Sequence, residues 1–265
     1  MIPEHYRHYV DSLSKNLATD DEYLAVAVGG SWKDDRMDRF SDIDLVIVHR
    51  SESLSLPQRK AVAESAGDLL VSFTGEHVGE PRLLICLYDN PLLHVDLKFV
   101  PLPAMAVRVE DPLVIWERDR VLTDLMTTSQ ARFPHPDFQW IEDRFWVWLH
   151  YAAAKVGRGE LFETLTFLSF VQQTVLGPLA LLRNGALPKG VRQLETTLMP
   201  ADLQAMQQTT AGYDRLSCLE ALHGVVAYYQ VLRQAVMPAT LTYRTRAEER
   251  VMAYLEEIGD SFPTG

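Results

Sequence analysis

A chain of 265 residues has room for one large domain or two modest ones, and 47% hydrophobic with 23% charged residues is ordinary globular usage, which excludes large-scale disorder. The formal net charge of −11 argues against a general affinity for nucleic acid, whose phosphates demand a basic surface, and is compatible with a cationic small substrate. Cys86 and Cys218 are the only cysteines; both lie in apolar sequence without a partner at metal-ligand spacing, which reads as buried free thiols in a reducing compartment. The N-terminus lacks the basic start and uninterrupted apolar core of a secretory signal. No stretch reads as the run of about 20 apolar residues needed to cross a bilayer, so the expectation is a cytoplasmic protein with no membrane and no nucleic-acid partner.

In chain order, Tyr6, Tyr9, Val10, Leu13 and Leu17 recur at helical spacing and predict a helix over 4–17. His5 and His8 lie one turn apart on it without further ligands nearby, which reads as a solvated face. A short buried strand follows at 23–28 and a second at 43–48. Pro57 suits the first turn of a helix continuing through Leu70, since proline is tolerated there and the apolar spacing carries on. Two strands, 83–88 and 94–100, flank the turn signal Asp89-Asn90-Pro91 and read as an antiparallel pair, with a short edge strand at 114–116. After Thr123 strand-like runs stop. Segments 138–156, 161–182, 214–236 and 244–258 all carry helical periodicity, broken at Gly185 with Pro188 and at Met237 with Pro238.

The chemistry concentrates between Gly29 and Val48, GGSWKDDRMDRFSDIDLVIV. Alternate side chains share a strand face, so Asp42 and Asp44 point one way and Ile43 the other. Paired carboxylates repel unless solvent or a divalent cation offsets the repulsion, and Mg²⁺ takes oxygen ligands of this kind, usually with substrate phosphates. The turn at Gly29, Gly30 and Ser31 lets backbone approach a phosphate without a Cβ in the way, and Ser31 adds a hydroxyl. Lys33 and Arg36 in the following loop either touch phosphate or nothing, and Asp34, Asp35 and Asp38 read as solvated loop acids. Trp32 either stacks on a base or covers the turn, and packing is the simpler reading. Asp96 lies in HVDLKFV on a later strand, with Lys98 on the same face.

Gly30-Ser31, ten residues, Asp42-Ile43-Asp44 and then Asp96 resembles the signature of the nucleotidyltransferase superfamily related to DNA polymerase beta. Within it the chain looks most like the aminoglycoside and lincosamide nucleotidyltransferases, over roughly the first hundred residues and more loosely beyond. The resemblance implies an α+β fold: an N-terminal nucleotidyltransferase domain, a small mixed sheet flanked by helices, at 1–122, and a helical bundle at 123–265 that binds the acceptor. It implies Mg²⁺ held by Asp42, Asp44 and Asp96, the last coordinating a second metal or taking the proton of an incoming hydroxyl. ATP or another nucleoside triphosphate would be the donor, cradled by Gly29, Gly30 and Ser31, with Lys98 on phosphate or paired with a carboxylate. Lys155 would reach the triphosphate from the helical half, and Glu160 would serve as base toward the acceptor; an exposed polar turn around Gly157 and Gly159 explains them as well. Asp89, Glu117 and Asp119 are further candidates for the acceptor cleft. Trp140, Phe145, Trp146, Trp148, Tyr151, Tyr228 and Tyr229 read as helix packing.

The activity so implied is transfer of a nucleoside monophosphate, AMP from ATP, to a small-molecule hydroxyl. The alternatives are an antitoxin-like adenylyltransferase acting on a protein and a non-catalytic nucleotide-binding regulator. The acceptor and the oligomeric state stay open at this level.

Overall fold

The computed structural model describes residues 2–262, in two compact units, Met1–Phe133 and Pro134–Gly265. In the first, helix α1 (Glu4–Leu17) buries the stripe Tyr6, Tyr9, Val10, Leu13 and Leu17 that its spacing predicts. Then come β1 (Tyr23–Val28), the single turn α2 (Gly30–Lys33), β2 (Ile43–His49), α3 (Leu56–Ser65), β3 (Asp68–Gly75), β4 (Glu80–Asp89), β5 (Leu93–Pro101), β6 (Leu113–Glu117) and α4 (Val121–Thr127). The strands form one sheet in the order β3-β4-β5-β2-β1-β6. Four neighbouring pairs are antiparallel and β2 with β5 is parallel, so the sheet is mixed and the fold is α+β.

The two sheet faces are built differently. One carries Ile43, Leu45, Ile47, Leu84, Cys86, Tyr88, Val95, Leu97 and Phe99 against α1 and α3 in a continuous core. Each such aliphatic side chain, fully buried, stabilises by about 1.5–3 kcal/mol. On the other, Ala25, Ala27, Val48 and Val100 pack with Met105 and with Leu122 of α4. Towards the beginnings of β2 and β5 that second face carries Asp44, Asp96 and Lys98 in place of core residues, which is what alternation along the strands requires.

Helix α3 stops at Ser65, short of the predicted Leu70, and the chain turns into β3. Pairing with β4 overrides the helical spacing there: Leu69 faces Tyr88, Val71 faces Leu87 and Phe73 faces Ile85. The first unit also runs past the boundary at 122 expected from the sequence, because Leu122 on α4 is fully buried among sheet residues.

The second unit is a helical bundle of α5 (Phe138–Arg158), α6 (Leu161–Val171), α7 (Gly177–Arg183), α8 (Leu194–Thr197), α9 (Pro200–Gln207), α10 (Arg215–Val236) and α11 (Thr245–Asp260). Its core draws on all the long helices, with Phe145, Trp146, Leu149, Leu179, Val225, Tyr229 and Leu255 among its buried residues. Asp137 and Asp214 cap α5 and α10 by accepting from the backbone N–H of Trp140 and Ser217, an arrangement typically worth about 1 kcal/mol. A π-helical turn, Gln172–Leu176, joins α6 to α7. The resulting Leu161–Arg183 segment is 23 residues long with mean hydropathy 1.5, so one stretch does meet the length and apolarity of a bilayer span, contrary to the sequence reading. Val171, Val175, Leu176, Leu179 and Ala180 within it are fully buried in the bundle core, which accounts for its apolarity.

Candidate active site

The parallel pairing of β2 with β5 puts Asp44 directly beside Asp96 in register. Asp42 lies two residues before Asp44 on the same face, and one carboxylate oxygen from each of Asp42, Asp44 and Asp96 falls within 4.8 Å of the others. Among the described residues this is the one group of three or more His, Cys, Asp or Glu side chains gathered so closely. Hard carboxylate oxygens at that spacing suit Mg²⁺, and no protein nitrogen or sulfur donor belongs to the set. Asp42 is exposed and the other two are partly buried, so the group opens to solvent.

The approach to Asp42 is pinned. The Tyr6 hydroxyl of α1 donates to the Ser41 carbonyl at 2.9 Å. Burial raises the Tyr6 pKa above its usual value, and the Asp38 and Asp42 carboxylates raise it further. The loop before it holds itself: the Asp38 carboxylate accepts from the Phe40 N–H at 2.8 Å, and the Ser41 hydroxyl accepts from the Asp38 N–H at 3.0 Å. Arg36 pairs with Asp34 at 3.2 Å.

The glycine turn closes on the acids from the β1 side. The Gly29 N–H donates to the Asp44 carbonyl at 3.0 Å. Gly30 has φ +55°, and a Cβ there would run into the Asp44 carboxylate. A side chain at 30 is therefore excluded twice, by backbone conformation and by the acid it lies against. Ser31 follows in α2, and its carbonyl accepts from the Arg36 N–H at 2.9 Å. Trp32 is buried in the core under α1, so it packs and offers no stacking face.

Two further groups flank Asp96 along β5 itself. His94, one alternation earlier on β5, places Nε2 3.2 Å from Asp96 Oδ1. Its place on the acid face was available from the same two-residue alternation that paired Asp96 with Lys98. Lys98 is held by Glu80 at 2.8 Å, and Arg82 holds the same carboxylate at 2.8 Å. The hydrogen bond from Arg82, with the Lys98 ammonium beside it, lowers the Glu80 pKa to about 2. Lys98 thus lies on the acid face, engaged with a carboxylate; Glu80 itself carries no signal in the sequence.

The remaining candidates divide. Glu117 accepts from the N–H groups of Leu122 and Thr123 at 3.1 and 2.9 Å and so caps α4, while Asp119 sits at φ 45° in the turn leading to it. Asp89 accepts from the Asn90 N–H at 2.8 Å and, with Glu4, His5, His8 and Asp68, borders an open cleft of about 620 Å³ along α1. In the helical unit, Lys155 reaches Glu160 at 2.6 Å and Glu163 at 2.8 Å. Those two carboxylates raise the Lys155 pKa, and Glu163, hydrogen-bonded by Lys155 and Tyr151, falls to about 2. Lys155 and Glu160, given separate roles by the resemblance, are each other's partners. Phe145, Trp146, Tyr228 and Tyr229 are buried in the bundle as predicted, Phe145 stacking on Tyr229 at 3.7 Å, and Trp148 packs partly against them, whereas Trp140 and Tyr151 are exposed.

No protein-family model and no curated protein matches the chain. Among solved structures it is similar to an aminoglycoside 6-adenyltransferase from Bacillus subtilis, at 14% identity and TM-score 0.43 over 98% of this chain and 100% of that one. It is also similar to a nucleotidyltransferase-like protein from Exiguobacterium sibiricum 255-15, at 16% identity and TM-score 0.39 over 96% of this chain and 90% of that one.

Proposed function

We propose that the protein transfers a nucleoside monophosphate from a nucleoside triphosphate, ATP in the first instance, to the hydroxyl of a small molecule. The observation that carries this reading is the convergence of Asp42, Asp44 and Asp96 within 4.8 Å beside a turn that must stay free of side chains at Gly30. In the reaction the acceptor oxygen bonds to the α-phosphorus as the bond from that phosphorus to the bridging oxygen breaks, pyrophosphate leaves, and the hydroxyl proton passes to a carboxylate or to solvent. Bound at the acids, Mg²⁺ would supply charge neutralisation on the phosphate oxygens. Asp42 and Asp44 are the residues that would hold it, and Asp96 would complete its shell or take the hydroxyl proton. Gly29, Gly30 and Ser31 admit the phosphates, and positioning by such groups dominates phosphoryl chemistry.

The test is pyrophosphate release with ATP and Mg²⁺ by the wild type and by Asp44→Asn. Loss of one charged ligand is expected to lower turnover by roughly 100-fold or more, the scale seen when one preorganised electrostatic partner is removed. Mn²⁺ affinity, read by electron paramagnetic resonance, should fall with it. Unchanged release and unchanged Mn²⁺ affinity in Asp44→Asn would remove the basis for the assignment.

A further inference from the structure

The acid row does not end at Asp96. Across the sheet, Asp44 pairs with Asp96, Asp96 with Ile85 and Ile85 with Phe73, so one register row on one face runs from the acids out to the edge strand. The neighbouring row runs His94, Leu87, Val71 in the same way. On β4 and β3 the positions of these two rows are apolar, and among the described residues Phe73 is 50% exposed and Val71 52%, with Ile85 and Leu87 partly buried between them and the acids. Exposed aromatic and branched residues side by side on an open sheet face are uncommon unless something covers them.

Sheet order says from which side a substrate would come. The glycine turn lies at the end of β1, the acids on β2 and β5, and the apolar rows on β4 and β3. If the leaving pyrophosphate sits at Gly29 to Ser31, in-line displacement brings the incoming hydroxyl from the opposite side, over β5, with the rest of its molecule lying over β4 and β3. We infer that the apolar rows Phe73-Ile85 and Val71-Leu87 seat the acceptor, and that the acceptor is a hydroxyl compound with an apolar or aromatic ring face rather than a polycationic sugar. This rests on the transfer reading above and adds the acceptor's chemical class to it. Lys98, the cation of that face beside the acids, is held by Glu80, the carboxylate that β4 brings to this face; Glu80 is already engaged by Lys98 and Arg82, and the rows Phe73-Ile85 and Val71-Leu87 carry no carboxylate of their own to recognise a polyamine.

The experiment measures pyrophosphate release with ATP and Mg²⁺ against two acceptor sets: aryl glycosides with aromatic and alicyclic alcohols, and aminocyclitol polycations. Phe73→Asp and Phe73→Leu are assayed beside the wild type, and ATP affinity is followed by calorimetry. The expected result is release with the ring-bearing set, a rise in acceptor KM of about tenfold or more in Phe73→Asp, near-recovery in Phe73→Leu, and ATP affinity unchanged throughout. Preference for the polycations, release with neither set by a protein that binds ATP, or an acceptor KM unmoved by Phe73→Asp overturns the inference. A wild type that does not bind ATP with Mg²⁺ overturns the transfer reading itself. Phe73 is half exposed, so neither substitution threatens the fold.

Discussion

At Gly30 two constraints coincide, and they separate on mutation. In Gly30→Ala the left-handed backbone at φ +55° costs about 1–2 kcal/mol, while the added methyl displaces the Asp44 carboxylate. Expected, therefore, is a protein that still folds, with a modest fall in melting temperature but a loss of Mn²⁺ affinity out of proportion to it. A titration of metal into the folded variant checks this. His49 supplies a second residue-scale test. Burial lowers its pKa below 6.5, with the Glu22 carboxylate partly opposing. Glu22 is itself lowered: burial pushes it up, but hydrogen bonds from Ser51 and the nearby His49 and Arg50 outweigh that. For His49 the unfolded chain binds the proton more readily than the folded one, so stability falls as pH drops below about 6.5. The Glu22 contribution is present above its unfolded value of 4.5 and is lost as pH falls through its lower folded value. Melting temperatures between pH 7 and 5 should decline in the wild type and decline less steeply in His49→Gln.

Among the elements, the long helices of the second unit hold together partly through a buried polar cluster. Glu142 on α5 is fully buried and accepts from the Tyr229 hydroxyl at 2.6 Å, the Arg244 N–H at 2.9 Å and Arg233 at 3.3 Å. Arg233 reaches on to Glu248 of α11 at 2.9 Å. Glu142→Ala leaves Arg233 and the Tyr229 hydroxyl without that acceptor, and breaking a buried pair from one side costs about 3–5 kcal/mol. Urea unfolding of the variant should show a loss on that scale. What the sequence disclosed of the elements follows their burial. Helix α1 and strands β1, β2 and β5 announce themselves because one face of each is wholly apolar. Strand β3 did not, since only one of its eight positions is buried and the alanine-rich spacing of α3 runs straight into it. Likewise the Asp42, Asp44 and Asp96 grouping was legible because alternation on two strands orients all three. The Glu80 hold on Lys98 was not, because it depends on how β4 lies beside β5.

For the molecule as a whole, the two units have separate hydrophobic cores: among the described residues, none of the buried clusters draws from both sides of Phe133. Separate cores permit separate melting. Scanning calorimetry should then give a van't Hoff enthalpy below the calorimetric one, and trypsin at low dose should cut first near Arg132, in the segment without helix or strand between α4 and α5. Coincident transitions and no early cut there would show that the units unfold as one.

The parallel contact of β2 with β5 also works as a check on assembly. These strands are far apart in the chain, with α3, β3 and β4 between them, so their register cannot be set by a local turn. A slip of one residue in β5 would carry Asp96 into the core under α1 and turn Val95 or Leu97 out towards Asp44. The same error would bury a charge, expose an aliphatic side chain and dismantle the acid group. Good packing and an intact acid group are thus one condition, and a misassembled sheet has no route to a partly formed acid group.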